Sequence, residues 1–242
     1  MVEKNSYIYE IAQQDLDFSQ HATISSMVNV QLQTAGRDAN RNGFGVGELN
    51  TQNYTWVLTR FSMAFERRAV RGESYEITTW IEDINRVTSS RNFSTTIGGV
   101  AVGDAASQWC MLDLTTRTAV DLSKLGQYRQ NFVIPDRSPL PRMRKIRDIE
   151  PHRTMTREVW YSDIDFNGHV NTMRYIDMMF NMLPREVIAE VTRFKFDLQF
   201  QHECYVGEVL SVGVEDVEDG YIFAISRESG EVAVRGAFYT AY

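Results

Sequence analysis

Cysteine is scarce: Cys110 and Cys204 are the only two in 242 residues. Two cysteines cannot build a disulfide framework, and free thiols suit a reducing compartment, so a cytoplasmic location is expected. No apolar run approaches the roughly 18 residues of a spanning helix, so no membrane span is expected. The opening, MVEKNSYIYEIAQQDLDFSQH, lacks a basic segment followed by an apolar one and is acidic. Neither a secretory signal nor an organelle transit peptide is expected from it. Histidine is also rare. His21, His152, His169 and His202 have no metal-ligand spacing, and CxxC, HExxH, GxxxxGK[ST] and GxSxG are all absent. No metal and no cofactor are expected. Gly43-Phe44-Gly45-Val46-Gly47 has no strand–turn–helix frame around it, so it reads as a flexible loop rather than a dinucleotide fingerprint. Basic residues are outnumbered, 25 to 32, for a net charge of −7. That is a poor footprint for nucleic-acid binding.

What is present is a globular composition, 43% hydrophobic and 24% charged. Four of the five prolines, Pro135, Pro139, Pro141 and Pro151, fall in one stretch. Proline removes a backbone donor and biases its predecessor to extended conformations, so this stretch reads as a linker. The expected organisation is a unit at 1–134, a linker at 135–151 and a unit at 152–242. The two units carry an internal repeat. Asp17-Phe18-Ser19-Gln20-His21-Ala22 resembles Asp165-Phe166-Asn167-Gly168-His169-Val170, offset by 148 residues. Arg71-Gly72-Glu73 before one strand pattern resembles Val206-Gly207-Glu208 before another, offset by 135. The first unit therefore holds 13 extra residues, which RNGFGVGEL could accommodate.

Each unit reads as a helix followed by strands. Ile24, Met27, Val28, Leu32 and Ala35 recur at helical spacing, with Gly36 as the expected stop. Val170, Met173, Ile176, Phe180 and Leu183 do the same, with Asn171 as N-cap and Pro184 as the end. Strands are expected around Phe61-x-Met63-x-Phe65 and Tyr75-x-Ile77-x-Thr79-x-Ile81, and over 91–101 and 107–120. In the second unit they are expected around Phe194-x-Phe196-x-Leu198-x-Phe200, and over 206–217, 221–227 and 231–240. One helix that can bury its stripe only against an antiparallel sheet is an α+β layer pair.

Two segments could carry chemistry. Trp160–Asn171 concentrates Asp163, Asp165, Asn167, His169 and Asn171 directly before the second helix pattern. Polar side chains beside outward-pointing helix amides can hold a polarised carbonyl or an oxyanion. The same segment also fits a polar loop with ordinary caps. Gln201-His202-Glu203-Cys204 follows the FKFDLQF strand. By strand parity His202 and Cys204 share the buried Phe200 face and Glu203 points away, so Cys204 reads as a small core residue and Glu203 as an exposed carboxylate. Met173, Met178, Met179 and Met182 read as core, although methionine also suits an adaptable acyl pocket.

Asp165-x-Asn167-x-His169-Val170-Asn171, then Tyr175-Ile176, then Glu203-Cys204, resembles the acyl-acyl carrier protein (acyl-ACP) thioesterases of plants and bacteria. The resemblance extends along the chain through Trp56 and RRAVRGESYEITTWIED. It implies a double hotdog, two helices each wrapped by antiparallel sheet, which agrees with the repeat. It also implies hydrolysis of fatty acyl-ACP thioesters, releasing free fatty acid and ending chain extension. Asp165, Asn167, His169 and Glu203 match the family's proposed catalytic group, and Cys204 matches a position once cast as nucleophile. The chain departs from the family at Thr172, where Asn is common, and in the FQHEC approach to Glu203. Either Glu203 with His169 activates a water, or Cys204 with His169 and Asn167 forms an acyl-enzyme. Ser19 stands where the second unit has Asn167, so one active site per chain is expected. The first unit would then build the acyl pocket, lined by Met27, Val28 and Leu32. Acyl-CoA hydrolysis and non-catalytic acyl binding are the rival readings, and chain-length preference and a homodimer stay open.

Charge is unevenly spread. Residues 148–242 hold 8 basic and 17 acidic groups, whereas residues 1–147 hold 17 and 15. Much of the basic excess is Arg137, Arg142, Arg144, Lys145 and Arg147. This is either a solvated linker or, with Arg67, Arg68 and Arg71, a docking surface for an acidic carrier protein.

Overall fold

A computed structural model describes residues 3–125 and 131–240. Residues 1, 2, 126–130, 241 and 242, which fall within the two expected units, lie outside the described residues. In chain order the strands are Asn5–Glu10 (β1), Tyr54–Phe65 (β2), Ser74–Ile84 (β3), Ser89–Ile97 (β4), Val100–Asp113 (β5), Arg153–Glu158 (β6), Phe194–Phe200 (β7), Val209–Val217 (β8), Gly220–Arg227 (β9) and Val232–Tyr239 (β10). The helices are Ile24–Arg41 (α1), Val46–Thr51 (α2), Thr172–Phe180 (α3) and Arg185–Glu190 (α4).

All ten strands form one antiparallel sheet in the order β1-β3-β4-β5-β2-β7-β10-β9-β8-β6. The order reads the same from both ends once β1–β5 are matched with β6–β10. This is the double hotdog: two five-stranded copies joined edge to edge through β2 and β7. The seam pairs Arg60 with Gln199 through to Phe65 with Phe194. Phe61, Met63, Phe65, Phe194, Phe196 and Leu198 all turn to the same side of it and are buried. On that side α1 and α3 pack against each other, so one hydrophobic core runs through both copies.

The longer first helix departs from the sequence expectation. Gly36 does not end α1, which continues to Arg41. Glycine costs roughly 1 kcal/mol in a helix relative to alanine, but the buried stripe continues past it. That stripe is polar: Gln31 donates to Thr95 and Thr34 to Tyr9, while Asp38 accepts from Asn5 and Arg91. A hydrophobic repeat therefore fades where the helix does not. RNGFGVGEL is no flexible loop either. Val46–Thr51 is helical, Phe44 and Leu49 are buried, and Trp56 donates from Nε1 to the Phe44 carbonyl. The second-unit helix α3 is nine residues long, capped by Asn171, whose side chain accepts from Met173 N. The strand pattern placed at 91–101 is divided by a turn at Gly98-Gly99, both with positive φ, into β4 and β5. Edge strands β1 and β6 escaped sequence reading because their alternation is mostly polar.

The proline-rich segment lacks helix and strand, yet it is not loose. Trp80 of β3 donates to the Asp136 carbonyl, Arg60 of β2 to the Met143 carbonyl, and Ile146 N to Gln199 of β7. Ile146 is buried against Ile222 and Ala237, and Arg235 of β10 pairs with Asp148. Pro151 lies so close to β8 that a Cβ on Gly213 would sit 2.9 Å from it. Gln199 lies on the opposite side of β7 from the buried phenylalanines, so the segment crosses the outer face of the sheet as a strap. Arg147 is paired with Glu215, but Arg142, Arg144 and Lys145 are exposed with no ion pair among the described residues.

Asp38 and Arg91 form an ion pair of 2.7 Å with both side chains nearly inaccessible. Removing one partner of such a pair strands the other charge. Asp38→Ala is expected to cost about 3–5 kcal/mol, measured by urea denaturation.

Candidate active site

The turn before α3 is built by Asp165. Its Oδ1 accepts from Asn167 N at 2.8 Å and from His169 N at 3.4 Å, while Asp165 N donates to the His169 carbonyl. Gly168 completes the turn with φ +81°, a left-handed conformation that glycine adopts freely. Asn167 is thereby held at the surface, and its carboxamide has no hydrogen-bond partner among the described residues. Val170 N donates to the Cys204 carbonyl at 2.9 Å, tying this turn to the segment after β7.

That tie brings His169 and Glu203 together, with Nε2 and Oε2 3.4 Å apart. Tyr205 packs edge-on against the His169 ring and donates from its hydroxyl to the same Oε2 at 3.1 Å. Arg117, from the loop after β5, donates to Oε2 as well. Burial, then the Glu203 contact, pushes the Tyr205 phenol up, so it stays a proton donor. Cys204 faces the other way. It is fully buried against Tyr175, and burial pushes its thiol above the ordinary range. A thiol kept protonated in the core is a poor nucleophile.

Parity placed Cys204 correctly but not His202. The strand ends at Phe200, so alternation no longer governs residue 202, and His202 is exposed. Glu203 is half-buried and engaged rather than a free surface carboxylate. Met27 and Val28 are fully buried and Leu32 is half-buried in the shared core. Arg117 and Tyr205 were missed; the one available signal was an arginine in the polar turn DLTTRT.

The first unit repeats this arrangement with altered chemistry. Ala22 N donates to the Ala69 carbonyl, as Val170 N does to Cys204. Ala69 thus stands where Cys204 stands, and Arg68 where Glu203 stands. The Arg68 guanidinium is buried and donates to Asp17, Ser19 and the Ile188 carbonyl of α4. Burial pushes the Asp17 carboxyl up, but hydrogen bonds from Ser19 and Arg68 outweigh it and hold it below the usual range. A fixed cation has replaced the carboxylate, and Ser19 is bonded to His21 Nδ1. Arg68 is therefore no docking residue, and Arg67 is committed to Glu73.

Two family models cover most of the chain: the acyl-ACP thioesterase N-terminal domain matches residues 3–125 and the C-terminal domain matches 147–237. The chain belongs to the acyl-ACP thioesterase family. A solved acyl-ACP thioesterase from Bacteroides thetaiotaomicron aligns with a TM-score of 0.88 at 29% identity, over 98% of this chain and 97% of that one. The 12:0-ACP thioesterase from Umbellularia californica gives 0.85 at 18% identity, over 98% and 96%, a likeness of fold. An acyl-[acyl-carrier-protein] hydrolase of Cuphea viscosissima is 25% identical over 219 residues, 84% of this chain and 52% of that protein. An oleoyl-acyl carrier protein thioesterase of Coriandrum sativum is 23% identical over 242 residues, 90% and 65%. The chain thus spans about half to two thirds of the length of these curated relatives. Among the described residues of this thioesterase-family chain, no helix is long and apolar enough to cross a membrane.

Burial and the raised thiol pKa act in the same direction on Cys204. Native protein at pH 8 is expected to be alkylated there by iodoacetamide at least about tenfold more slowly than a free thiol, read by peptide mass spectrometry.

Proposed function

We propose that this chain hydrolyses fatty acyl-ACP thioesters, releasing free fatty acid and so ending chain extension, by direct attack of water. One observation carries the reading: Glu203 and His169 meet at 3.4 Å beside the start of α3, while Cys204 is withdrawn into the core. Glu203 Oε1 takes a proton from water as the water oxygen bonds to the thioester carbonyl carbon. The Asn167 carboxamide donates to the resulting oxyanion. The carbon–sulfur bond then breaks, and the proton passes to the pantetheine sulfur, with His169 as the second proton carrier. Asp165 keeps Asn167 and His169 in place through their backbone amides.

The residues divide by unit in this reading. Residues 152–242 supply Asp165, Asn167, His169 and Glu203. Residues 1–134 supply acyl-pocket wall through Met27, Val28 and Leu32. Residues 135–151 supply the exposed cations Arg142, Arg144 and Lys145 for an acidic acyl carrier protein. The free thiols support a reducing, cytoplasmic setting. The two halves pair within the chain, so completing the sheet needs no homodimer.

Water attack and acyl-enzyme chemistry separate cleanly. Turnover of a panel of fatty acyl-ACP thioesters, measured as released fatty acid, should fall at least about a hundredfold in Glu203→Gln. In Cys204→Ala it should stay within a few-fold of wild type. A dead Cys204→Ala, together with a trappable acyl-enzyme in the parent, would reverse the assignment. For docking, reversing Arg142, Arg144 and Lys145 to Glu should raise KM for acyl-ACP several-fold and flatten its salt dependence, with kcat unchanged. Unaltered KM and salt dependence would remove the strap from the docking surface.

A further inference from the structure

Glu203 is approached by three groups, and all three meet the same oxygen. The Arg117 guanidinium, the Tyr205 hydroxyl and His169 Nε2 converge on Oε2. Oε1 has no protein hydrogen-bond partner among the described residues. A carboxylate clamped on one oxygen presents the other in a fixed direction, which a general base needs.

Arg117 is the unexpected member, because it comes from the other unit. The first unit's β2 and β5 are longer than their counterparts β7 and β10, 12 and 14 residues against 7 and 8. Residues 60–65 of β2 pair with β7, whereas residues 54–58 pair only with β5, at 109–113. Because β2 and β7 are antiparallel, this overhang lies beyond the end of β7, where Glu203 follows. The turn at its tip is closed by Asp113, whose Oδ1 accepts from Thr115 N and Thr116 N and whose carbonyl accepts from Arg117 N. Part of the first unit's extra length therefore builds an arm over the second unit's site.

The backbone at the tip is also unusual. Arg117 has φ +57°, a conformation that disfavours any side chain and suits glycine. The ion pair with Glu203 is partly exposed on both sides, and such pairs add little to stability. Stability therefore does not account for an arginine there, and a strained residue that reaches a site points to work at the site.

We propose that Arg117 is a positioning residue for the thioesterase reaction, reaching from the first unit to clamp Glu203 Oε2, with Tyr205, so that Oε1 faces the attacking water. The site is then composite: one unit holds the base and the other aims it. The inference rests on Glu203 being the base.

The test compares wild type, Arg117→Gly, Arg117→Lys and Glu203→Gln on the best substrate of a fatty acyl-ACP panel. Arg117→Gly should lower kcat by up to about a hundredfold while KM changes less than about twofold. Its thermal midpoint should be unchanged or higher, because glycine relieves the backbone. Millimolar guanidinium should restore part of its turnover but none of that of Glu203→Gln, and Arg117→Lys should lie between Arg117→Gly and wild type. Wild-type turnover in Arg117→Gly beside a dead Glu203→Gln would overturn the positioning role and leave the base assignment standing. A lowered thermal midpoint without guanidinium rescue would make Arg117 a merely structural residue, overturning the proposal. An active Glu203→Gln would overturn both readings.

Discussion

The pairing of β2 with β7 is the constraint on which everything else depends. A hotdog unit that ended at β2 or β7 would leave a long edge of unpaired amides and carbonyls, a template for unwanted pairing. Joining the two copies there covers both edges at once and lets α1 and α3 share one core. Across the seam Phe65 stacks on Phe194 on the helix side, and Ser62 donates to Asp197 on the other. Because the pairing is antiparallel, it brings the far end of the first unit alongside the site-bearing end of the second. The placement of Arg117 near Glu203 follows from strand direction and strand length together.

Duplication gave two turns with the same backbone and different chemistry. In both, an aspartate closes the turn and a histidine follows, and in both a main-chain bond ties the turn to the segment after the central strand. What differs is the group at the Glu203 position. A carboxylate held at the surface can accept a proton. The buried guanidinium of Arg68 cannot; instead it saturates Asp17 and Ser19 and reaches α4, binding one unit to the other. The two copies thus differ by a single exchange of charge and its burial: a buried, paired guanidinium in one and a half-buried carboxylate in the other.

Much of this was legible in the sequence, for identifiable reasons. The repeat showed in Asp17–Ala22 and Asp165–Val170 because both turns need the same backbone. The α3 cap at Asn171 and the β7 face of Phe194, Phe196 and Leu198 follow local rules that no tertiary contact overrides. The end of α1 was hidden because its buried face turns polar from Gln31 onward, at Gln31, Thr34 and Asp38, which hydrogen-bond to Thr95, Tyr9 and Arg91, all distant in sequence. The short edge strands had too little apolar alternation to register. The exposure of His202 depended on where β7 stops, which is set by pairing with β2 and β10. Arg117 could not be connected to Glu203 at all, since 86 residues separate them and only the seam brings them together.

The strap also has a length that matters. Between its contacts at Trp80 and Gly213 it passes from β3 to β8, seven strand spacings, or about 34 Å along a flat sheet at roughly 4.8 Å each. The chain from Asp136 to Pro151 could reach about 50 Å if fully extended. The slack is therefore worth about five residues, less where the outer face curves. The segment between the units is a gauge as much as a connection. Deletions beyond that slack would pull Ile146 from its seat or draw β8 toward the seam, whereas its exposed side chains carry no such constraint.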